Sequence, residues 1–115
     1  MIKRRADMEK EIREKMRGGK GSVEILHIFR KEELKGKVRL FARLLLKKDC
    51  SIGYHPHDGE EEIFYILSGE GLVMEDGAVS RVGPGDAVLT GGGGGHSIEN
   101  QGGEPLEILA AILPY

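Results

Sequence analysis

From residue 21 onward, apolar and polar positions alternate with a period of two. In SVEILHIF, Val23, Ile25, His27 and Phe29 fall on one face. VRLFARLLL (38–46) is a second strand segment. EIFYIL (62–67) is a third, rich in β-branched and aromatic residues. GLVMEDGAVSRV reads as a hairpin turning at Asp76–Gly77, because Asp-Gly suits a type I′ turn. Val82–Asp86 forms another turn, AVLT another strand, and His96–Glu99 and LEILAAIL (106–113) complete the series around Gly102–Gly103. Short strands at regular intervals with glycine-rich turns predict an antiparallel sandwich or barrel. There is no internal repeat and no strand–helix alternation of the kind a doubly wound sheet needs.

The first twenty residues follow a different rhythm. Met8, Ile12 and Met16 are spaced by four, and Glu9–Arg13 and Glu11–Lys15 place opposite charges at the same interval. This spacing predicts an amphipathic surface helix over 2–17, ended by Gly18–Gly19. The expected organisation is an N-terminal helical segment (1–20) on a barrel domain (21–115). A chain of 115 residues has room for one core.

Composition narrows the field of functions. A formal net charge of −2 and a pI near 6.1 argue against a nucleic-acid partner. No apolar run reaches the roughly 18 residues needed to span a bilayer. The charged N-terminus lacks the apolar middle of a signal peptide, so a cytoplasmic protein is expected. Cys50 is the single cysteine, which excludes an internal disulfide and fits a reducing compartment. Asn100 and Gln101 are the only side-chain amides in a chain that is 31% charged, a composition typical of thermophiles.

The candidate chemistry centres on LTGGGGGHSIEN (89–100). Five glycines precede His96, and three readings compete: a linker, a phosphate-binding loop, or a close backbone approach that delivers an imidazole to a site. A linker would join two domains, whereas this run lies inside the strand succession. A phosphate loop would end in Lys-Ser/Thr and open a helix, and neither feature follows here. Upstream, His55 and His57 are two apart, so on an extended strand both project to the same face. Glu60, Glu61 and Glu62 come next. A lone histidine is usually a turn or surface residue satisfied by water. A same-face pair with a neighbouring glutamate and a third, distant histidine instead favours a divalent metal such as Mn, Fe, Ni or Zn. Three imidazoles and one carboxylate leave coordination positions open for a ligand. His27 lies outside this set and reads as a barrel or pocket histidine.

At these residues the chain resembles the cupin family. The first cupin motif, G-x5-H-x-H-x3,4-E-x6-G, is matched by His55, His57, Glu62 and Gly69, with Asp49 where the leading glycine is expected. The second motif, G-x5-P-x-G-x2-H-x3-N, is matched by Gly85, Gly93, His96 and Asn100, with Gly91 in place of the proline. The resemblance implies an all-β double-stranded β-helix, the jelly-roll barrel. It also implies the metal ligands His55, His57, Glu62 and His96, with Glu60 and Glu61 exposed or supporting. Among cupins the chain looks most like single lobes of oxalate decarboxylase and oxalate oxidase, which use manganese. That similarity implies a small carboxylate ligand such as oxalate. Oxalate decarboxylase lobes carry a substrate-holding arginine three residues before the first motif histidine, a position occupied here by Ile52. They also supply a proton donor from a lid loop, and this chain has no insertion long enough to form one. The expected function is therefore carboxylate binding at an open metal. Decarboxylase or oxygenase activity stands on one side of that reading and a non-catalytic binding module on the other.

Four further expectations follow. Arg39, Phe41, Arg43 and Leu45 share one face, expected to meet solvent or a partner subunit; if that face lined the cavity, Arg39 or Arg43 would bind an anion. Phe64 and Ile66 share the Glu62 face and should wall the pocket, with Tyr65 pointing out. A homodimer is expected, clasped by the N-terminal helix. Finally, Gly91→Pro is expected to stabilise the metal loop by about 0.4–1 kcal/mol if the backbone at 91 accepts proline.

Overall fold

The period-two segments fold as strands. In the computed structural model, which describes all 115 residues, there are ten: β1 (Glu9–Glu14), β2 (Ser22–His27), β3 (Leu40–Leu46), β4 (Ser51–Pro56), β5 (Glu60–Ser68), β6 (Gly71–Glu75), β7 (Ala78–Val82), β8 (Ala87–Gly91), β9 (Gly95–Glu99) and β10 (Leu106–Pro114). They form a six-stranded sheet, β1-β2-β3-β10-β5-β8, facing a four-stranded sheet, β4-β9-β6-β7, with every pairing antiparallel. No helix is long and apolar enough to cross a membrane.

Alternation decides which side chains fill the space between the sheets. Ala42, Leu44 and Leu46 of β3, Phe64 and Ile66 of β5, and Ile108 and Ala110 of β10 all turn inward and are buried. Val23, Ile25, Ile52, Val73, Ile98 and Leu106 complete the core. Each large apolar side chain removed from water contributes on the order of 1.5–3 kcal/mol. β10 runs between β3 and β5 and shares a ladder with each, so both of its edges are satisfied. The hairpin between β6 and β7 turns at Asp76 (φ 51) and Gly77 (φ 78), the two positive values that a type I′ turn requires.

The N-terminal helix does not form. Residues 9–14 are instead strand β1, flanked by one-turn 3-10 segments at Arg5–Asp7 and Met16–Gly18. A spacing of four is also a multiple of two, so Met8, Ile12 and Met16 share a strand face as readily as a helix face. The edge of β2 offered unpaired backbone groups, and β1 takes them in six consecutive register pairs from Glu9↔His27 to Glu14↔Ser22. The charges follow strand rules as well. Arg13 bonds Glu11 two residues away, and Lys10 pairs across the ladder with Glu24 at 2.9 Å. Ile12 is left 62% exposed on the outer side, whereas Met16 packs against the core.

The departure at Asp49 has a backbone reason. Asp49 adopts φ 66, so the conformation that favours glycine in the motif is present, carried by a residue type that tolerates it.

Candidate metal centre

Four buried side chains converge where the sheets approach at one end of the barrel. β4 carries His55, and His57 follows one residue after its end. β5 carries Glu62 and β9 carries His96, with His55 and His96 direct cross-strand partners. One donor atom from each of His55, His57, Glu62 and His96 lies within 4.8 Å of all the others. His55 Nε2 and His57 Nε2 are 3.1 Å apart, and His57 Nε2 and His96 Nε2 are 3.2 Å apart. A Glu62 Oε1 lies 2.8 Å from His57 Nε2 and 3.0 Å from His96 Nε2.

The outer nitrogens explain why the inner ones meet. His55 Nδ1–H donates to the Gly53 carbonyl at 2.8 Å. His57 Nδ1–H donates to Glu60 Oε2 at 2.8 Å. The Thr90 hydroxyl donates to Glu75 Oε2 at 2.9 Å, so it can only accept from His96 Nδ1–H, also at 2.9 Å. Each imidazole is thus fixed as the Nδ1–H tautomer by an acceptor outside the cluster. Three Nε2 lone pairs and a carboxylate oxygen are left pointing at one another, an arrangement that repels itself unless a positive charge sits among them. A divalent cation accepting imidazole nitrogen and carboxylate oxygen fits this donor set.

The electrostatics agree. Burial alone would push the Glu62 carboxyl up. With no cation in the cluster, imidazoles that take a second proton at Nε2 attract the carboxylate, which outweighs burial and holds it near 2, well below its ordinary 4.5. Glu60 is lowered to about 2, chiefly by the Arg39 guanidinium, which it meets at 2.8 and 2.9 Å, and then by His57. Phe64 stacks on the His96 ring, with centroids 4.8 Å apart and planes 11° from parallel, which locks the imidazole plane.

The five glycines prove to be a tightly specified loop. Gly92 (φ 66) and Gly93 (φ 85) take left-handed conformations. A side chain at Gly91 would collide with β5, and one at Gly95 would have to push the Tyr54 ring aside. A Cβ on Gly91 would stand 2.8 Å from Glu61 Cβ, and one on Gly95 would stand 2.7 Å from the Tyr54 ring. Gly91→Pro should therefore destabilise the loop rather than stabilise it, because the ring would collide with Glu61 of β5. The loop also holds the site together. Gly93 N–H donates to the His57 carbonyl at 2.8 Å, and His57 N–H donates to the Gly94 carbonyl at 2.9 Å.

Other expected positions sort as follows. Phe64 and Ile66 are buried and Tyr65 is 44% exposed. Glu60 orients His57, and Glu61 lies outside the cluster. Arg43 faces away from the cavity and pairs with Glu107, whereas Arg39, just before β3 begins, lines the cavity over the cluster. His27 bonds Glu11 at 2.9 Å on the edge of the six-stranded sheet. Sequence reasoning missed Thr90 and Glu75, because their relation to His96 depends on register. Glu75 is the cross-strand partner of His96 only once β6 pairs with β9. It also missed Arg13 and Arg17, which lie in the segment read as a helix and in fact line the cavity.

A match to the family model described as Cupin domain covers residues 43–112, more than half of the chain. The chain is a cupin. The cupin is 45% identical over 113 residues to an oxalate-binding protein of Thermotoga maritima, covering 98% of this chain and 93% of that one. It superposes on a solved structure described as a predicted oxalate decarboxylase from Thermotoga maritima with a TM-score of 0.94 and 44% identity, over the whole of both chains. A polyketide cyclase from Streptomyces resistomycificus shares the fold at TM-score 0.80 and 22% identity, covering 99% of this cupin and 80% of that chain.

Proposed function

We propose that this cupin binds a small dicarboxylate of oxalate's size through a divalent metal, manganese first among the candidates, held by His55, His57, Glu62 and His96. The observation that carries this reading is the cavity beside the cluster, of about 80 Å³, whose lining includes His55, His57 and Glu62. By that measure a water takes about 10–15 Å³, so the cavity suits a ligand of roughly six non-hydrogen atoms. Ile52, Phe64 and Ile112 supply apolar walls, and the remaining charged lining groups, Arg13, Arg17 and Arg39, are all cationic. A bound divalent ion supplies a Lewis-acid anchor for a carboxylate oxygen, and the guanidiniums favour a second negative charge. The name of the Thermotoga maritima relative supports the same ligand class.

Binding is favoured over decarboxylation on one further observation. Loss of carbon dioxide leaves a carbanion that a nearby acid must protonate. The only carboxyl lining the cavity is Glu62, which belongs to the ligand set, and no tyrosine or lysine lines it. Calorimetric titration of the manganese-loaded protein with oxalate tests the proposal. Saturable binding that disappears on metal removal, with oxalate recovered unchanged, is the expected result. Absence of binding refutes it, and steady turnover that is lost in His96→Ala would make the protein an enzyme instead.

The same reading includes a homodimer. Ile63, Tyr65, Leu67 and Leu89 are exposed apolar side chains on the outer face of β5 and β8, where Ile63 and Leu89 are direct partners. Light scattering at micromolar protein should report twice the chain mass; a monomer there rules the dimer out.

A further inference from the structure

We propose that Arg17, carried over the cavity by the N-terminal strap, holds the outer carboxylate of the dicarboxylate and selects it over monocarboxylates. This rests on the small-carboxylate reading of the metal centre and adds the residue that sets its specificity.

The strap is residues 15–21, between β1 and β2, and it is tied to β4. Lys15 N–H donates to the Gly21 carbonyl at 2.8 Å, closing the strap on itself. Lys20 N–H donates to Ser51 Oγ at 2.8 Å, and Ser51 N–H donates back to the Lys20 carbonyl at 2.9 Å. Met16 anchors the strap in the core. The closest approach is between two glycines: a Cβ on Gly53 would stand 2.1 Å from the Arg17 carbonyl oxygen, and one on Gly19 would stand 2.2 Å from the Ser51 carbonyl oxygen. Neither position can carry a side chain without pushing the strap off the barrel. Gly53 is also the residue whose carbonyl accepts the His55 Nδ1–H bond. The strap is therefore seated directly on the piece of β4 that orients a metal ligand.

Within this strap Arg17 has φ 54 and ψ 31, a conformation that side chains other than glycine seldom adopt. Arg17 is one of the residues that line the cavity, and it is otherwise exposed to solvent. Three arginines line the cavity, and their charges are not equivalent. Arg13 is held by Glu11 at 2.7 Å and Arg39 by Glu60 at 2.8 Å. Arg17 has no carboxylate partner, and the one acid in the lining, Glu62, faces the imidazoles. An anion in the cavity would give Arg17 its first carboxylate partner, whereas Arg13 and Arg39 already have theirs. A guanidinium matches a carboxylate with two parallel hydrogen bonds. A ligand with one carboxylate at the metal and a second facing the strap therefore satisfies both charges, and a monocarboxylate satisfies only one.

The test is calorimetric titration of manganese-loaded wild type, Arg17→Gln and Arg17→Asn with oxalate and, separately, with acetate, alongside manganese content and melting temperature. Asparagine is included because it tolerates the left-handed backbone at 17. The expected result is oxalate affinity weakened about 10- to 100-fold. Acetate affinity should change less than about threefold, with full manganese content. Oxalate affinity equal to wild type in both variants at full manganese content overturns the proposal. So does equal weakening toward oxalate and acetate, which would make Arg17 a general source of positive field. If wild type itself binds neither anion, the underlying carboxylate reading fails and this inference falls with it; binding by wild type and by both variants alike fails this inference alone.

Discussion

Stripping divalent metal from the protein with a chelator is expected to lower its melting temperature by roughly 15 °C. The estimate comes from linkage: an ion present at about a thousand times its dissociation constant stabilises the folded state by about 4 kcal/mol. For a domain of this size each kcal/mol moves the midpoint by roughly 3–6 °C. The structural reason is the fixed tautomers. Gly53, Glu60 and Thr90 take all three Nδ1 protons, so removing the central cation leaves the Nε2 atoms of His55, His57 and His96 and the Glu62 carboxylate facing one another. Glu62→Gln keeps the shape and removes the charge. It should bind no manganese, and its melting temperature should match that of chelated wild type and ignore added metal. A wild type whose melting temperature is indifferent to both chelator and manganese refutes the metal centre.

The pH dependence follows from the same groups. Glu62 is depressed in the folded state, from 4.5 to about 2. Its contribution to stability is therefore fully present above about pH 4.5 and lost only as pH falls toward 2. Neutralisation of this carboxylate therefore does not account for metal lost above about pH 4.5.

What could be read in advance divides along physical lines. Strands with one buried face, such as β3, β5 and β10, were legible because burial imposes the period of two, and the inward side chains Leu44, Phe64 and Ile108 followed from it. The clustering of His55, His57, Glu62 and His96 was legible because a spacing of two puts His55 and His57 on one face and the motif spacing adds Glu62 and His96. β1 was not legible, since a four-residue apolar spacing satisfies both periods and only the free edge of β2 decides between them. The supports of the imidazoles were hidden for a related reason. Glu75 and Thr90 lie 21 and 6 residues before His96, and nothing local records that β6 and β8 will place them beside it. The glycine loop misled in a different way. As a sequence it looks loosely specified, yet steric contact at Gly91 and Gly95 and hydrogen bonds through Gly93 and Gly94 fix it on both sides. Glycine content measures the freedom of the unfolded chain and does not report how closely the folded chain is packed.

Replacing Asn100 by alanine is expected to destabilise the protein by about 3 kcal/mol while leaving metal stoichiometry intact. Asn100 ends the same motif that carries His96, but it touches none of the four clustered side chains. It is fully buried. Its amide donates to the Leu46 carbonyl at 2.9 Å and to the Glu104 carbonyl at 2.8 Å, and its Oδ1 accepts from Gly102 N–H at 2.9 Å. Its backbone bonds Cys50 and Asp49, so one residue ties the turn leaving β3 to the turn entering β10. Truncation leaves two carbonyls and one N–H without partners. A buried group deprived of its partner costs about 1–3 kcal/mol, with the lower end applying where Gly102 and Glu104 reach water. Asn100→Asp should be no better, because a carboxylate places negative charge against two carbonyl oxygens that need donors. Urea unfolding with an unchanged slope and a lowered midpoint would register the loss. A change below about 1 kcal/mol would mean that the turns are held by their backbone bonds alone. Loss of manganese at wild-type stability would instead place Asn100 in the metal site. The pair Glu62→Gln and Asn100→Ala therefore separates the two jobs that the cupin motifs combine, holding an ion and closing the barrel's turns.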